Sequence, residues 1–363
     1  FAGCNKEEEL FMRSVSVKEL QRFSTAALIK AGMRAKNAEE AAQVLVETDA
    51  FGVLSHGTKN LYQYILKMQA GGLDAQAEPS VIKEGPAWAL LDGNAALGML
   101  TGRRAMDLAI KKARACGIAY VGVKNSCHFG AAGYYANLAA SAGMIGLSMS
   151  NGDPVMAVPN AAGVTIGNNP FAFAAPMKGG KSVFLDIALS NVAALKVVMA
   201  KEKGARVPLT WLVDENGRPT DDPSGFPGHS SLQPMGAHKG YGFAMMVEIL
   251  AAVLTGAGML SEIVSWNLKL PEKNKVGHAF IAVDVAQMMD MALFEERMAR
   301  MVEELHNAPK AKDAERIFVP GEMEWEKREK ALAADRIELT DVMAENMEKL
   351  SALTGEPIRW LAD

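Results

Sequence analysis

Two histidines sit in segments whose neighbours suit proton transfer. His56 falls in Asp49-Ala-Phe-Gly-Val-Leu-Ser-His-Gly, at a turn feeding a helix, with Ser55 placed as an N-cap and backbone N–H groups near the ring. His128 falls in Lys124-Asn-Ser-Cys-His-Phe-Gly-Ala-Ala-Gly, after an apolar strand and before a helix, where α/β proteins gather ligands. Histidine's ordinary pKa lies nearest neutrality, so both are candidates for general acid/base work. Each can also be read as a residue that holds its turn. Cys127 reads as a packing thiol.

A third segment, Gly236-Ala-His-Lys-Gly-Tyr-Gly, sets His238 and Lys239 between glycines just before a long apolar stretch read as a buried helix. Close backbone approach, N–H donors, a positive helix end and the lysine charge suit a phosphate; a tight turn is the other reading. Gly167-Asn-Asn-Pro-Phe and Phe184-Leu-Asp-Ile-Ala are turn and strand elements, and Asp186 among apolar neighbours must find hydrogen-bond partners or a ligand hydroxyl. His229, His278 and His306 read as loop, strand-edge and helix-surface residues without chemistry, and the methionines between 287 and 301 as core filling. The chain has no G-x-G-x-x-G, P-loop, H-E-x-x-H or G-x-S-x-G motif. A nucleotide here would need something other than the standard dinucleotide fold, and no metal site is expected.

The elements that must position these residues divide into three stretches. Residues 17–53 carry apolar side chains at helical spacing broken at Gly32, and a third helix is predicted from about 59 to 70, stopped by Gly71-Gly72. From 80 to 284 short apolar runs at 81–82, 88–91, 118–123, 145–149, 171–175, 183–187 and 279–283 alternate with helices near 101–115 and 133–142. A long irregular connection spans 203–234. Beyond 284 the chain is helical and charged again. The expected fold is α/β: a tail at 1–13, a helical unit from 14–86 plus 285–363, and a mixed α/β unit at 87–284.

With 363 residues, 49% hydrophobic and 22% charged, the chain can bury a proper core. A formal net charge of −4 without basic clusters argues against nucleic acid and anionic membranes as partners. No apolar run reaches the length of a membrane span. Three cysteines without C-x-x-C spacing fit a reducing, cytoplasmic setting.

At these residues the sequence resembles the malate/L-lactate dehydrogenase family that lacks a Rossmann fold, whose relatives include ureidoglycolate dehydrogenase, sulfolactate dehydrogenase and 2,3-diketo-L-gulonate reductase. The motifs around residues 55–57, 125–130, 167–170, 185–188, 238–242, 277–281 and 319–322 occur in family order. The resemblance implies an NAD(P)-dependent homodimer that transfers hydride between nicotinamide and a 2-hydroxy acid, with a mixed sheet of its own for the cofactor. It implies His56 as proton donor and His128 as the second catalytic histidine of the cleft. Cofactor contacts are implied at Ser182, Val183, Phe184, Leu185, Asp186, Ile187, Ala188, Asn168, His238, Lys239, Gly321 and Glu322, and substrate contacts at Ser55, Lys59, Asn60 and Tyr64.

One departure stands out. Many relatives carry arginine four residues after the first histidine, a bidentate clamp for a carboxylate; here that residue is Asn60. Lys59 would point about 100° away on an α-helix, so either another cation clamps the acid or the substrate differs from malate and lactate. The same family contains cyclic imino acid reductases for piperideine- or pyrroline-2-carboxylate. A catalytically degenerate NAD(P)-binding protein is the remaining alternative.

Overall fold

The computed structural model describes residues 12–362. Strand β1 (Met12–Val15) leads into helices α1 (Val17–Lys30), α2 (Ala35–Ala50) and α3 (Leu61–Gln69). Then follow β2 (Ser80–Gly85), β3 (Trp88–Asp92), α4 (Gly98–Cys116), β4 (Ile118–Ser126), α5 (Ala132–Ser141), β5 (Met144–Ser150), β6 (Pro154–Met156), β7 (Ile166–Gly167), β8 (Phe171–Pro176) and β9 (Ser182–Ile187). Helix α6 (Ala194–Glu202), three short strands β10 (Leu212–Val213), β11 (Pro219–Thr220) and β12 (Ser231–Leu232), and α7 (His238–Glu248) complete the next stretch. The chain ends with β13 (Val276–Asp284), α8 (Val285–Met288), α9 (Met291–His306), α10 (Glu322–Ala334), β14 (Ile337–Thr340) and α11 (Asp341–Thr354).

Local chemistry accounts for the helix ends. Ser16 caps α1 by accepting from the Glu19 N–H at 3.0 Å, and Leu20, Phe23, Ala27 and Leu28 form its buried stripe. Gly117, at φ 82°, ends α4 in a conformation that disfavours a side chain.

Seven strands form the main sheet in the order β2-β3-β4-β13-β5-β8-β9. Only β3 and β4 run parallel in it; β13 is central and antiparallel to both β4 and β5. Helices α4 and α5 cover one face, and the π-helical turn at Ile249–Val253 that continues α7 packs against β13 and β4. A five-stranded sheet, β11-β10-β12-β6-β7, lies within the irregular 203–234 region and its neighbours. At the far end β1 pairs antiparallel with β14, Met12 opposite Thr340, while α1 and α3 pack on α11.

Several expectations need correction. Met12 and Arg13, placed in the tail, belong to β1, and the rest of that tail lies outside the described residues. Strand β2, placed before residue 87 and thus in the helical unit, is the edge of the seven-stranded sheet. His278 is not a strand-edge residue: it is fully buried in the central strand, its ring hydrogen-bonded to the Ser150 and Ser126 hydroxyls at 2.9 and 2.8 Å. Met288 and Met301 are exposed rather than core. Helix α7 is only half buried, because Phe243 and Met245 face outward, followed by Ile249, Val253 and Leu254. Helical spacing marks an apolar face without saying what covers it.

The close approach of β13 to the π-helical turn requires glycine at 277, where a Cβ would lie 1.9 Å from the Ala251 carbonyl oxygen. Gly277→Ala is expected to cost about 1–3 kcal/mol of stability in urea unfolding, as overpacked sites do. An unchanged midpoint would show that this contact gives way freely.

Candidate active site

Helix α2 ends beside the turn that carries His56. Asp49, on its last turn, reaches nine residues forward: its Oδ2 accepts from the Thr58 N–H at 3.0 Å and from the Thr58 hydroxyl at 2.5 Å. Residues Thr58–Asn60 form a 3-10 turn before α3. The cap is therefore Asp49, not Ser55, whose hydroxyl instead lies 2.8 Å from His56 Nδ1. Gly57 is obligatory here, since a Cβ would sit 1.9 Å from Asp49 Oδ1.

The second histidine arrives on the β4–α5 connection. His128 Nδ1 lies 2.6 Å from the Tyr64 hydroxyl, and the two imidazole rings face each other with centroids 5.7 Å apart. Burial raises Tyr64 well above the ordinary phenol value, so it keeps its proton and donates to Nδ1; the neutral ring's own proton then sits on Nε2. Asn60 donates to the Ser55 carbonyl at 3.0 Å and to the Tyr64 oxygen, so it orders this relay. Burial lowers His56, with Lys59 adding to the effect. Burial also pushes His128 down to about 3, with His56 and His278 as lesser contributors. Both rings are neutral near pH 7. The charge of Lys59, on the 3-10 turn, adds to the lowering of His56, and Glu202 of α6 favours the charged form of Lys59 in turn.

Two site residues escaped the sequence reading. Trp266 stacks on His128 at 4.6 Å and lies 5.1 Å from the Tyr64 ring. Asp153 follows β5; burial raises its carboxyl, opposed by hydrogen bonds from Ser265 and the Trp266 N–H. Neither lies in a periodic segment, and the Asn151-Gly-Asp-Pro turn was the only local signal for Asp153. Beneath that turn Glu248 is buried, accepting from Asn151 at 3.2 Å, Asn169 at 2.8 Å and the Leu260 N–H at 2.9 Å. Asn169 also accepts from the Gly152 N–H at 3.2 Å, locking the Asn-Asn turn to the Asn-Gly-Asp turn.

The residues expected to meet a cofactor fall into two groups, one at each end of β9. The Leu189 N–H, just past Ala188, donates to the Asn168 carbonyl, and the Leu189 carbonyl accepts from Met235 at the head of the Gly236–Lys239 turn. His238 and Lys239 are exposed there, and Ala237 is held at φ 55°, a strained conformation for alanine. The amides of Lys239 and Gly240 already bond to Gly236 and Met235, so an anion would meet the lysine charge and the helix dipole rather than these amides.

At the other end of β9, the Phe184 N–H donates to the Pro320 carbonyl, and Gly321, at φ 95°, would strike the Phe184 ring with any Cβ. Ser182 is buried and committed to Asn137 at 2.5 Å and to the Trp325 indole, while Val183, Leu185 and Ile187 stay at least partly accessible. Asp186 accepts from the Gly133 N–H at 2.7 Å at the start of α5, and burial raises it to about 6. Glu322 is occupied by the Val319 N–H, with His306 at 2.8 Å, so it serves the turn rather than a ligand. Among the described residues no cluster of His, Cys, Asp and Glu could hold a metal ion. No helix there is long and apolar enough to cross a membrane.

The chain belongs to the malate/L-lactate dehydrogenase family, whose family profile matches residues 15–348. It is 38% identical to a malate dehydrogenase of Pyrococcus abyssi over 312 residues, covering 84% of this chain and 85% of that protein. It is 33% identical to the ureidoglycolate dehydrogenase (NAD(+)) of Escherichia coli K12, over 90% of this chain and 93% of that one. Among solved structures, malate dehydrogenase from Entamoeba histolytica superposes with a TM-score of 0.89 at 30% identity, covering 95% of this chain and 99% of that one.

Asp49 supplies a pH test of the site's scaffold. Burial lifts its carboxyl from 3.8 to about 7. The native chain thus holds a proton that the unfolded chain has lost, so this group's contribution is full at acid pH and disappears as pH rises toward 7. Asp49→Asn keeps an acceptor for Thr58 and removes the dependence. Its unfolding free energy relative to wild type is expected to rise by about 3 kcal/mol between about pH 4.5 and pH 7 in urea melts. Parallel pH profiles would argue against a protonated Asp49.

Proposed function

We propose that the chain is an NAD(P)-dependent oxidoreductase that interconverts a 2-hydroxy acid and its 2-oxo acid, with His56 as the group that exchanges the substrate proton. The observation that carries this reading is the facing pair of neutral histidines, one fixed by Tyr64. The nicotinamide, when bound, supplies the hydride acceptor for oxidation and the donor for reduction. Lys239, His238 and the start of α7 suit its phosphates, Asp186 a ribose hydroxyl, and the accessible side chains of β9 its apolar surface. Holding it on a sheet with a single parallel pair sets this chain apart from doubly wound folds.

With Ser55 accepting from Nδ1–H, His56 Nε2 keeps a lone pair and takes the hydroxyl proton as hydride leaves the same carbon; in reduction the steps reverse. His128, with its proton on Nε2, donates a hydrogen bond to the reacting oxygen and orients it. Asn60 is committed to Ser55 and Tyr64, so Lys59 is the cation left to meet the substrate carboxylate. Helix α3 flanks this pair of histidines on one side and the β4–α5 turn on the other.

The test is a panel of 2-oxo acids, including oxaloacetate and pyruvate, beside piperideine- and pyrroline-2-carboxylate, each with NADH and with NADPH. Turnover of an oxo acid supports the reading; exclusive turnover of the cyclic imines would move it to the reductases, and cofactor binding without any turnover to a degenerate protein. His56→Ala is expected to lower kcat by about 10²-fold or more while NADH affinity stays within about twofold. Because burial lowers His56, the acid limb of the oxidation profile should fall below the ordinary histidine value of about 6.5. Full turnover in His56→Ala would remove it from the chemistry.

The same reading includes a homodimer. Phe243, Ile249, Val253 and Leu254 present a large outward apolar face, with Met301 and Leu305 exposed on α9. Light scattering should give twice the chain mass; a monomer at micromolar concentration would rule the dimer out.

A further inference from the structure

Lys67 is unused by the chemistry above, yet it is fully buried. Its ammonium donates to three backbone carbonyls, those of Lys269 at 2.9 Å, Leu270 at 3.3 Å and Glu272 at 2.6 Å. Three donors on one nitrogen meet three acceptors on one strip of chain, a match that a lysine ammonium makes and a neutral side chain does not. One turn earlier on α3, Gln63 donates to the Asn267 carbonyl at 2.8 Å. Gly72 lets the strip come close, since a Cβ there would lie 2.0 Å from the Leu270 oxygen and 2.8 Å from the ammonium.

The clipped strip is a loop with a closed base. The Val264 N–H donates to the Asn274 carbonyl at 3.1 Å, and the Asn274 side chain returns a bond to the Val264 carbonyl at 2.6 Å. Between those ends stand Ser265 and Trp266, the residues that meet Asp153 and His128. Tyr64, which holds His128, lies between Gln63 and Lys67 on the same helix. A single helix thus fixes the histidine from one side and the loop above it from the other.

We propose that Lys67, assisted by Gln63, is the positioning residue for the substrate pocket's roof: it docks loop 264–274 on α3 so that Trp266 lies against His128. This rests on the assignment of the pocket to an acid substrate. Lys67 touches neither substrate nor cofactor; it sets the height of the Trp266 ring and so the room left for the substrate's side chain. Small displacements of positioning groups carry large kinetic effects because the reacting atoms must be held within a narrow range of geometry.

The experiment compares wild type, Lys67→Met and Gln63→Ala by hydrogen–deuterium exchange, by NADH titration and by steady-state kinetics with pyruvate or oxaloacetate, whichever wild type reduces. In Lys67→Met the peptide covering 264–274 should exchange about tenfold faster or more, while the central strand β13 keeps its protection. KM should rise by about tenfold, more than kcat falls, with NADH affinity within about twofold. Gln63→Ala, with one bond lost at a more exposed position, should shift the same readouts by about two- to threefold. A folded Lys67→Met with wild-type loop protection and KM overturns the proposal, as does faster exchange spread evenly over the chain. Should Lys67→Met fail to fold, unchanged loop exchange in Gln63→Ala overturns it. Wild-type protein that reduces no acid refutes the dehydrogenase reading instead, and the exchange data alone then decide the docking of the loop.

Discussion

The cleft is organised around a carboxylate buried among neutral donors. Glu248 sits at the end of α7 and gathers the amides of Asn151 and Asn169 and the Leu260 N–H. Removing an anion from water is costly unless each lone pair finds a donor, and here the donors come from three separate loops. The arrangement is stable only when the Asn151 turn, the Asn168-Asn169 turn and the segment after Met259 are all in place. Those are the parts that present Asp153, the segment after β9 and the base of the Trp266 loop. The chemistry-bearing surface is thus assembled by a group that does none of the chemistry.

A second regularity follows from burial. Asp49, Asp186 and Asp153 are raised, while His56 and His128 are lowered. Each group moves toward its neutral form, as a low-dielectric cleft requires. In such surroundings one half-buried cation, Lys59, has influence out of proportion to its single charge. The slightly acidic chain needs no general positive field to admit an anionic ligand.

How much of this the sequence discloses depends on the range of the interactions. The turns that carry His56, His128 and Gly236–Lys239 are legible as turns because Gly, Asn and Ser announce them locally, the first between two helices and the other two between strand and helix. Asn169 at φ 30° and Asn125 at φ 54° show why those turns carry asparagine, which tolerates left-handed backbone. Trp266, Asp153 and Lys67 were not legible, because their roles arise from contacts between segments far apart in the chain. His278 was misread as an edge residue because a strand's rank within its sheet is not encoded in its own residues. Met288 and Met301 were misread because an apolar stripe does not reveal whether its cover is this chain. Ser55 was taken as a cap because the true cap, Asp49, lies outside the local window in which caps are sought.

The pairing of β1 with β14 bears on how the molecule comes into being. Met12 meets Thr340, and α1 and α3 rest on α11, although α1 packs chiefly on its neighbour α2, so one face of this helical unit is completed only by the last described elements. The seven-stranded sheet, whose neighbours are mostly closer in sequence, can form during synthesis. Closing so long a loop is slow, and until it happens the faces of α1 and α3 that meet α11 are uncovered. The β1–β14 pair is thus among the last contacts to be made, and α3, which carries Tyr64, gains its cover from α11 with it.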